Sequence, residues 1–229
     1  MFKEEHICTY ISNTGKGNIF LYSNNIIKSF FDECILELLD NQKYRALLSA
    51  YDNYLMEHSV NTAILTAFLA LEQDLPKDIA KELVTAALFH DIGKLNIPKN
   101  ILYKPDRLTE QEWAIMQAHP RIGCALIRPH KPSSLVLDVI RYHHTGFNGK
   151  GYPKIGARGC ENWDLIQVVT LADAFDAMAS KRSYRQRMPL SLIYNEIQKN
   201  LGKQFDPISG HFLLGALENM YPAKGMMFI

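Results

Sequence analysis

The sequence predicts an all-α helical bundle. From Asn25 onward its apolar residues recur with a helical period, and helix-start signals stand at the heads of several periodic runs. Two β-prone runs, ICTYIS and NIFLYS, are confined to the first 24 residues. The clearest stripe is Val60, Ala63, Ile64, Ala67, Phe68 and Leu71, at the i, i+3, i+4, i+7, i+8, i+11 spacing of a buried helix face. Leu83, Val84, Ala87 and Leu88 form a similar face.

Taken in order, residues 1–24 hold the two β-prone runs around Thr14-Gly15-Lys16-Gly17, which read as a hairpin or as an irregular arm. Helices are expected over 25–40, 43–50, 52–73, 77–92, 110–118, 121–128, 134–144, 163–179, 190–200 and 207–220. Thr109 followed by Glu112 is a capping-box signal for the fifth of these. Asp206-Pro207 supplies a cap followed by proline at the first helical position for the last. The glycine-rich stretch 145–159 has no helical period and is expected to be a loop. The expected organisation is an N-terminal extension over 1–50 and one compact domain over 51–229.

Composition narrows the function classes. Apolar residues make up 47% of the chain, enough for a sizeable core. A net charge of +1 provides no global field for long nucleic acids, so any phosphate binding must be local. Cys8, Cys34, Cys124 and Cys160 show no CxxC spacing and read as reduced intracellular thiols. The start, MFKEEHICTY, lacks a signal peptide's basic and apolar regions. The longest apolar stretch, near 63–71, is short of the roughly 20 residues that span a bilayer. The expectation is a soluble, cytoplasmic protein with no membrane contact.

Chemistry concentrates on histidine. His90 and Asp91 are adjacent near a helix end, followed by Ile92-Gly93-Lys94, so an imidazole and a carboxylate can aim at one point. These ligand types hold iron, manganese, nickel or zinc, and a carboxylate with two oxygens can bridge a pair of ions. His58, His119, His143 and His144 also fall at the ends or edges of amphipathic runs. Any one of them reads more readily as an ordinary core or surface residue. Several together need a common partner, because burying polar groups without one is costly.

The ordered motifs DNYLMEHS, HDIGKLNIPKNIL, HPRIG, HHTGFNGKGYP, LADAFDAMASKRSYR and GKQFDP resemble those of the HD-GYP family, a branch of the HD phosphohydrolase superfamily. The resemblance runs from about Tyr51 to about Leu214 and implies an HD-type helical bundle. It implies one divalent transition ion held by His58, His90, Asp91 and Asp173, and a second held by His119, His143 and His144, with Asp91 bridging. Iron or manganese is favoured, with zinc or nickel as alternatives. Asp176, one turn beyond Asp173, reads instead as a partner for a nearby arginine. Some members hold a third ion through a glutamate four residues before the first histidine. Here that place is Tyr54, a phenol with an ordinary pKa of about 10. Asp52, two residues further back, is expected on the opposite side of the helix, so two ions are expected.

Two close ions suit phosphodiester hydrolysis, because they lower the pKa of water and neutralise phosphoryl oxygens. The resemblance implies catalytic roles for Asp91 and Lys94, and phosphate binding by Lys94, Arg182 and Arg185, whose guanidinium forks suit phosphate. Tyr152, in the Gly151-Tyr152-Pro153 block, either borders the substrate cleft or helps dock a partner signalling domain. The implied substrate is a cyclic dinucleotide, most often cyclic di-GMP, opened to the linear dinucleotide or further to the mononucleotide. Thr145 and Asn148 replace residues that are acidic in many members. Two alternatives remain: an HD hydrolase of another nucleotide phosphate ester, and a weakly catalytic nucleotide-sensing domain.

Overall fold

The computed structural model describes residues 25–154, 160–180 and 187–220. The expected N-terminal hairpin, residues 155–159 of the glycine-rich loop, and Arg182 and Arg185 lie outside the described residues. The described residues form an all-α fold without β-strands. In order they are α1 (Asn25–Asp40), α2 (Gln42–Leu48), α3 (Asn53–Glu72), α4 (Lys77–Phe89), a 3-10 turn (Ile92–Asn96), α5 (Lys99–Leu102), α6 (Glu110–Met116) and α7 (His119–Ile127). A second 3-10 turn (Arg128–His130) leads to α8 (Ser134–Tyr142), α9 (Trp163–Ala179), α10 (Leu190–Asn200) and α11 (Pro207–Met220).

Helix α3 is the centre of the bundle. Leu55, Met56 and every residue from His58 to Ala70 are buried, as expected of a helix covered on all sides. The sequence showed one apolar stripe, but α4, α9, α1 and α11 all pack against α3 and cover its other faces. Leu65, Leu69, Leu83 and Phe89 are wholly buried, each burial contributing about 1.5–3 kcal/mol. Residues of α1, including Phe31, Ile35 and Leu39, join the same core. No helix among the described residues is long and apolar enough to cross a membrane.

Helix ends follow local chemistry. Thr109 and Glu112 form the expected capping box of α6, and the Asp206 carboxylate accepts from Ser209 N at 2.8 Å at the head of α11. Asp52 lies outside α3 and caps it, accepting from Leu55 N. This corrects the expected start at 52 and the placing of Asp52 on a helix face. α4 stops at Phe89 rather than at 92, because Asp91 takes φ −99° and ψ 7° and the chain tightens into the 3-10 turn. α7 starts two residues before the expected 121, since Pro120 fits a first turn where no N–H is needed. The single-turn α5 was not expected.

Candidate metal centre

The cluster is assembled where helices end. His90 is the last cap residue of α4 and Asp91 follows it, His119 opens α7, and His143 closes α8 with His144 next to it. His58 comes from the first turns of α3, and Asp173 from the middle of α9. Two glycines bring these ends together. A Cβ on Gly93 would lie 1.9 Å from His119 O, and one on Gly123 would lie 3.3 Å from Gly93 N. The 3-10 turn carrying Asp91 thus lies directly on α7, which carries His119.

Asp91 is fully buried and stands between two sets of imidazoles. Its Oδ2 lies 3.4 Å from His58 Nε2 and 3.3 Å from His90 Nε2. Its Oδ1 lies 3.3 Å from His119 Nε2 and 3.8 Å from His143 Nε2. Asp173 adds its Oδ1 at 3.1 Å from His58 Nε2 and its Oδ2 at 3.8 Å from His144 Nδ1. Two ligand-like groups share Asp91: His58, His90 and Asp91 on one side, and Asp91, His119, His143 and His144 on the other. All seven residues expected as ligands are in the cluster.

The ring orientations suit a cation. Nδ1 of His90 faces Ala87 O at 2.7 Å, Nδ1 of His119 faces Met116 O at 2.8 Å, and Nδ1 of His143 faces Ile140 O at 3.1 Å. Carbonyls only accept, so in a neutral ring Nδ1 carries the hydrogen and the Nε2 lone pair points inward. The Nε2 atoms of His119 and His143 stand 3.4 Å apart, and that of His90 stands 3.3 Å from Nε2 of His58. Asp91 Oδ1 is buried with no hydrogen-bond partner. On the His119 and His143 side, facing lone pairs beside that orphaned carboxylate oxygen repel one another unless a positive charge lies between them. Burial lowers the pKa of His119 to about 3 and of His144 to about 4, and holds His143 well below its ordinary value. They are therefore neutral at pH 7, as coordination requires. At His58 burial works against the charged form, but Asp173, Asp176 and Asp91 outweigh it and raise the pKa well above the usual imidazole range. That point in the site favours positive charge.

Asp176 has a role at the cluster that the sequence did not show, and Arg182 and Arg185, the arginines next along the chain, lie outside the described residues. Among the described residues the Asp176 carboxylate accepts not from an arginine but from His58 Nδ1 at 2.7 Å and Ser180 Oγ at 2.9 Å. A carboxylate in this place fixes the ring and makes its Nε2 more basic. The i, i+3 spacing from Asp173 was the available signal.

Lys94 Nζ donates to Asp91 Oδ2. It also lines a cavity of about 840 Å³ with His119, His144, Tyr54, Trp113 and Tyr152. Trp113 meets the Tyr152 ring edge-on at 5.8 Å, and Tyr152 lies 4.7 Å from the His144 ring. Trp113 was missed in the sequence, where EQEW carries no mark beyond a helix start. Tyr54 meets Tyr103 edge-on, so at this position a phenol stands at the cavity wall. Thr145 is buried and its Oγ1 donates to Tyr152 O at 3.1 Å, a bond that an ionised carboxylate could not make. Asn148 Oδ1 accepts from Lys150 N at 2.9 Å within the same loop.

A family model described as HD domain matches residues 43–208. The cyclic di-GMP phosphodiesterase of Thermotoga maritima is 33% identical over 84% of this chain and 52% of its own length. The 3'3'-cGAMP-specific phosphodiesterase 3 of Vibrio cholerae is 32% identical over 77% of this chain and 38% of its own. The chain thus spans about half or less of the length of these curated relatives. Among solved structures, Bd1817, an HDG"Y"P protein from Bdellovibrio bacteriovorus, matches with a TM-score of 0.62 at 17% identity, over 93% of this chain and 72% of that one. The HD domain of the L. monocytogenes phosphodiesterase PgpH, in complex with cyclic-di-AMP, matches with a TM-score of 0.52 at 18% identity, over 79% of this chain and 99% of that one. At those identities the structural likeness shows the all-α fold.

Proposed function

The chain belongs to the HD domain family and carries the ordered motifs of its HD-GYP branch, and on that premise we propose a metal-dependent phosphodiesterase that opens a cyclic dinucleotide, cyclic di-GMP foremost. The observation that carries this reading is the division of Asp91, with one carboxylate oxygen toward His58 and His90 and the other toward His119 and His143. The assigned holders are His58, His90, Asp91 and Asp173 for one ion, and His119, His143, His144 and the shared Asp91 for the other. The imidazole and carboxylate set suits first-row transition ions, iron or manganese first. When bound, the pair supplies activated water and neutralises charge on the phosphoryl oxygens.

The remaining roles fall to side chains around the cluster. Lys94 brings positive charge to the reacting phosphate from the wall of the aromatic cavity. Arg182 and Arg185 hold the substrate's phosphates. Tyr152 borders the cleft rather than a partner domain, a reading supported by its ring contacts with His144 and Trp113. Arg182→Ala is expected to raise KM with little change in kcat, and Lys94→Ala to lower kcat, both with metal content retained. An unchanged KM in Arg182→Ala would make the SKRSYR segment an ordinary solvated patch.

Asp176→Asn is expected to weaken metal binding about 10–100-fold, because the amide orients His58 less firmly and no longer raises its basicity. Titration of the metal-free protein with manganese measures this, and wild-type affinity in the variant would contradict it. Elemental analysis together with anomalous diffraction tests the metal assignment itself. Two ions per chain are expected, and a third at full occupancy beside Tyr54 would overturn the count.

A further inference from the structure

Two cavities share His144 in their lining, and they differ in chemistry. Besides the aromatic cavity there is one of about 390 Å³ lined by His143, His144 and Asp173 of the cluster. Its walls include Asn148, Lys150, Lys203 and Gln204. They belong to two segments tied by backbone hydrogen bonds: Phe147 N donates to Gln204 O at 3.0 Å, and Asn148 N donates to Lys203 O at 2.7 Å. The glycine-rich loop and the turn after α10 are thereby held in fixed register, and each presents a lysine to the same space. Among the described residues the lining holds no carboxylate other than Asp173, which belongs to the metal cluster. The Asn148 carbonyl oxygen is already taken by Lys150 N, so its NH₂ is what it offers to a ligand. The Lys203 ammonium donates once, to Lys199 O at 3.2 Å, and keeps two hydrogens for a ligand; with the Lys150 ammonium and the Asn148 amide it makes a donor-rich pocket, suited to an anion.

A cyclic dinucleotide has two phosphodiesters, only one of which is at the metals when the ring opens. We propose that the polar pocket is a subsite for the second phosphate of the ring, bound by Lys150 and Lys203. This rests on the cyclic dinucleotide reading above and adds to it a determinant of substrate class. The lysines are distinct in sequence from Arg182 and Arg185. A cation at the reacting phosphate matters to every phosphodiester, whereas a cation at the second phosphate matters to substrates that carry two.

The test compares KM for cyclic di-GMP with KM for bis(para-nitrophenyl) phosphate, which has a single phosphate, in the metal-loaded full chain. Lys150→Ala/Lys203→Ala is expected to raise KM for cyclic di-GMP about tenfold or more, the effect of losing charge-assisted hydrogen bonds. The rise for the single-phosphate ester is expected to be several times smaller. Both lysines are exposed, so their truncation leaves no hole in the core. Lys154→Ala/Lys199→Ala removes the same charge at exposed positions outside the pocket lining and controls for the general field. Equal rises on the two substrates, or an equal rise in this control, would overturn the subsite. If the wild-type protein hydrolyses the single-phosphate ester but leaves cyclic di-GMP and 3'3'-cGAMP intact, the substrate reading itself falls and the subsite falls with it.

Discussion

Asp91→Ala is expected to strip metal from both halves of the cluster and to lower hydrolysis at least about a thousandfold, the loss of several kcal/mol of transition-state stabilisation. Each oxygen of the Asp91 carboxylate faces a pair of histidines, at 3.3–3.4 Å on the Oδ2 side and 3.3–3.8 Å on the Oδ1 side, whereas the second oxygen of Asp173 reaches a single histidine, at 3.8 Å. His119→Ala removes one assigned ligand from one side, and Asp173→Ala removes one from the other. Each is therefore expected to lose less than Asp91→Ala. Bound metal per chain and turnover, measured on the three variants, rank them. Full activity in Asp91→Ala would end the bridging assignment.

Gly93→Ala is expected to destabilise the fold by about 3 kcal/mol, the upper part of the range for forcing extra volume into a packed interior. A Cβ at Gly93 would lie 1.9 Å from His119 O and 2.7 Å from Gly123 N, both backbone atoms that no side-chain rotation can move aside. The relief is to push α7 away from the 3-10 turn, which takes His119 away from Asp91. For a domain of this size the melting temperature is expected to fall by roughly 6–12 °C, and metal affinity should fall with it. An unchanged melting temperature would mean that the close approach of the turn to α7 is not a constraint. Gly93 has no left-handed backbone angle to explain it, so close packing is the reason that remains.

Much of this fold was legible as periodicity and caps. The extents of α1, α9, α10 and α11 agree with the sequence reading, since apolar spacing and the Asp206-Pro207 start are local signals. Ends set by tertiary contact were less legible. α4 stops before Asp91 because the next residues must turn onto α7, and nothing within KELVTAALFH announces that turn. Buried polar partners were harder still. Asp176 reads in the sequence as a partner for a nearby arginine, yet it accepts a hydrogen bond from His58, 118 residues earlier. Trp113 and Tyr152 become neighbours through folding alone, and spacing along the chain could not pair them. The seven expected metal ligands were found together because the ordered motifs marked them, not because the helical pattern did.

The most direct test of the account is product analysis. The purified protein, loaded with manganese or iron and its metal content verified, is incubated with cyclic di-GMP and the mixture is separated by chromatography. Conversion to the linear dinucleotide is expected, dependent on added metal and lost in Asp91→Ala. Recovery of intact cyclic di-GMP, and of 3'3'-cGAMP in a parallel incubation, from protein carrying two ions per chain would contradict it.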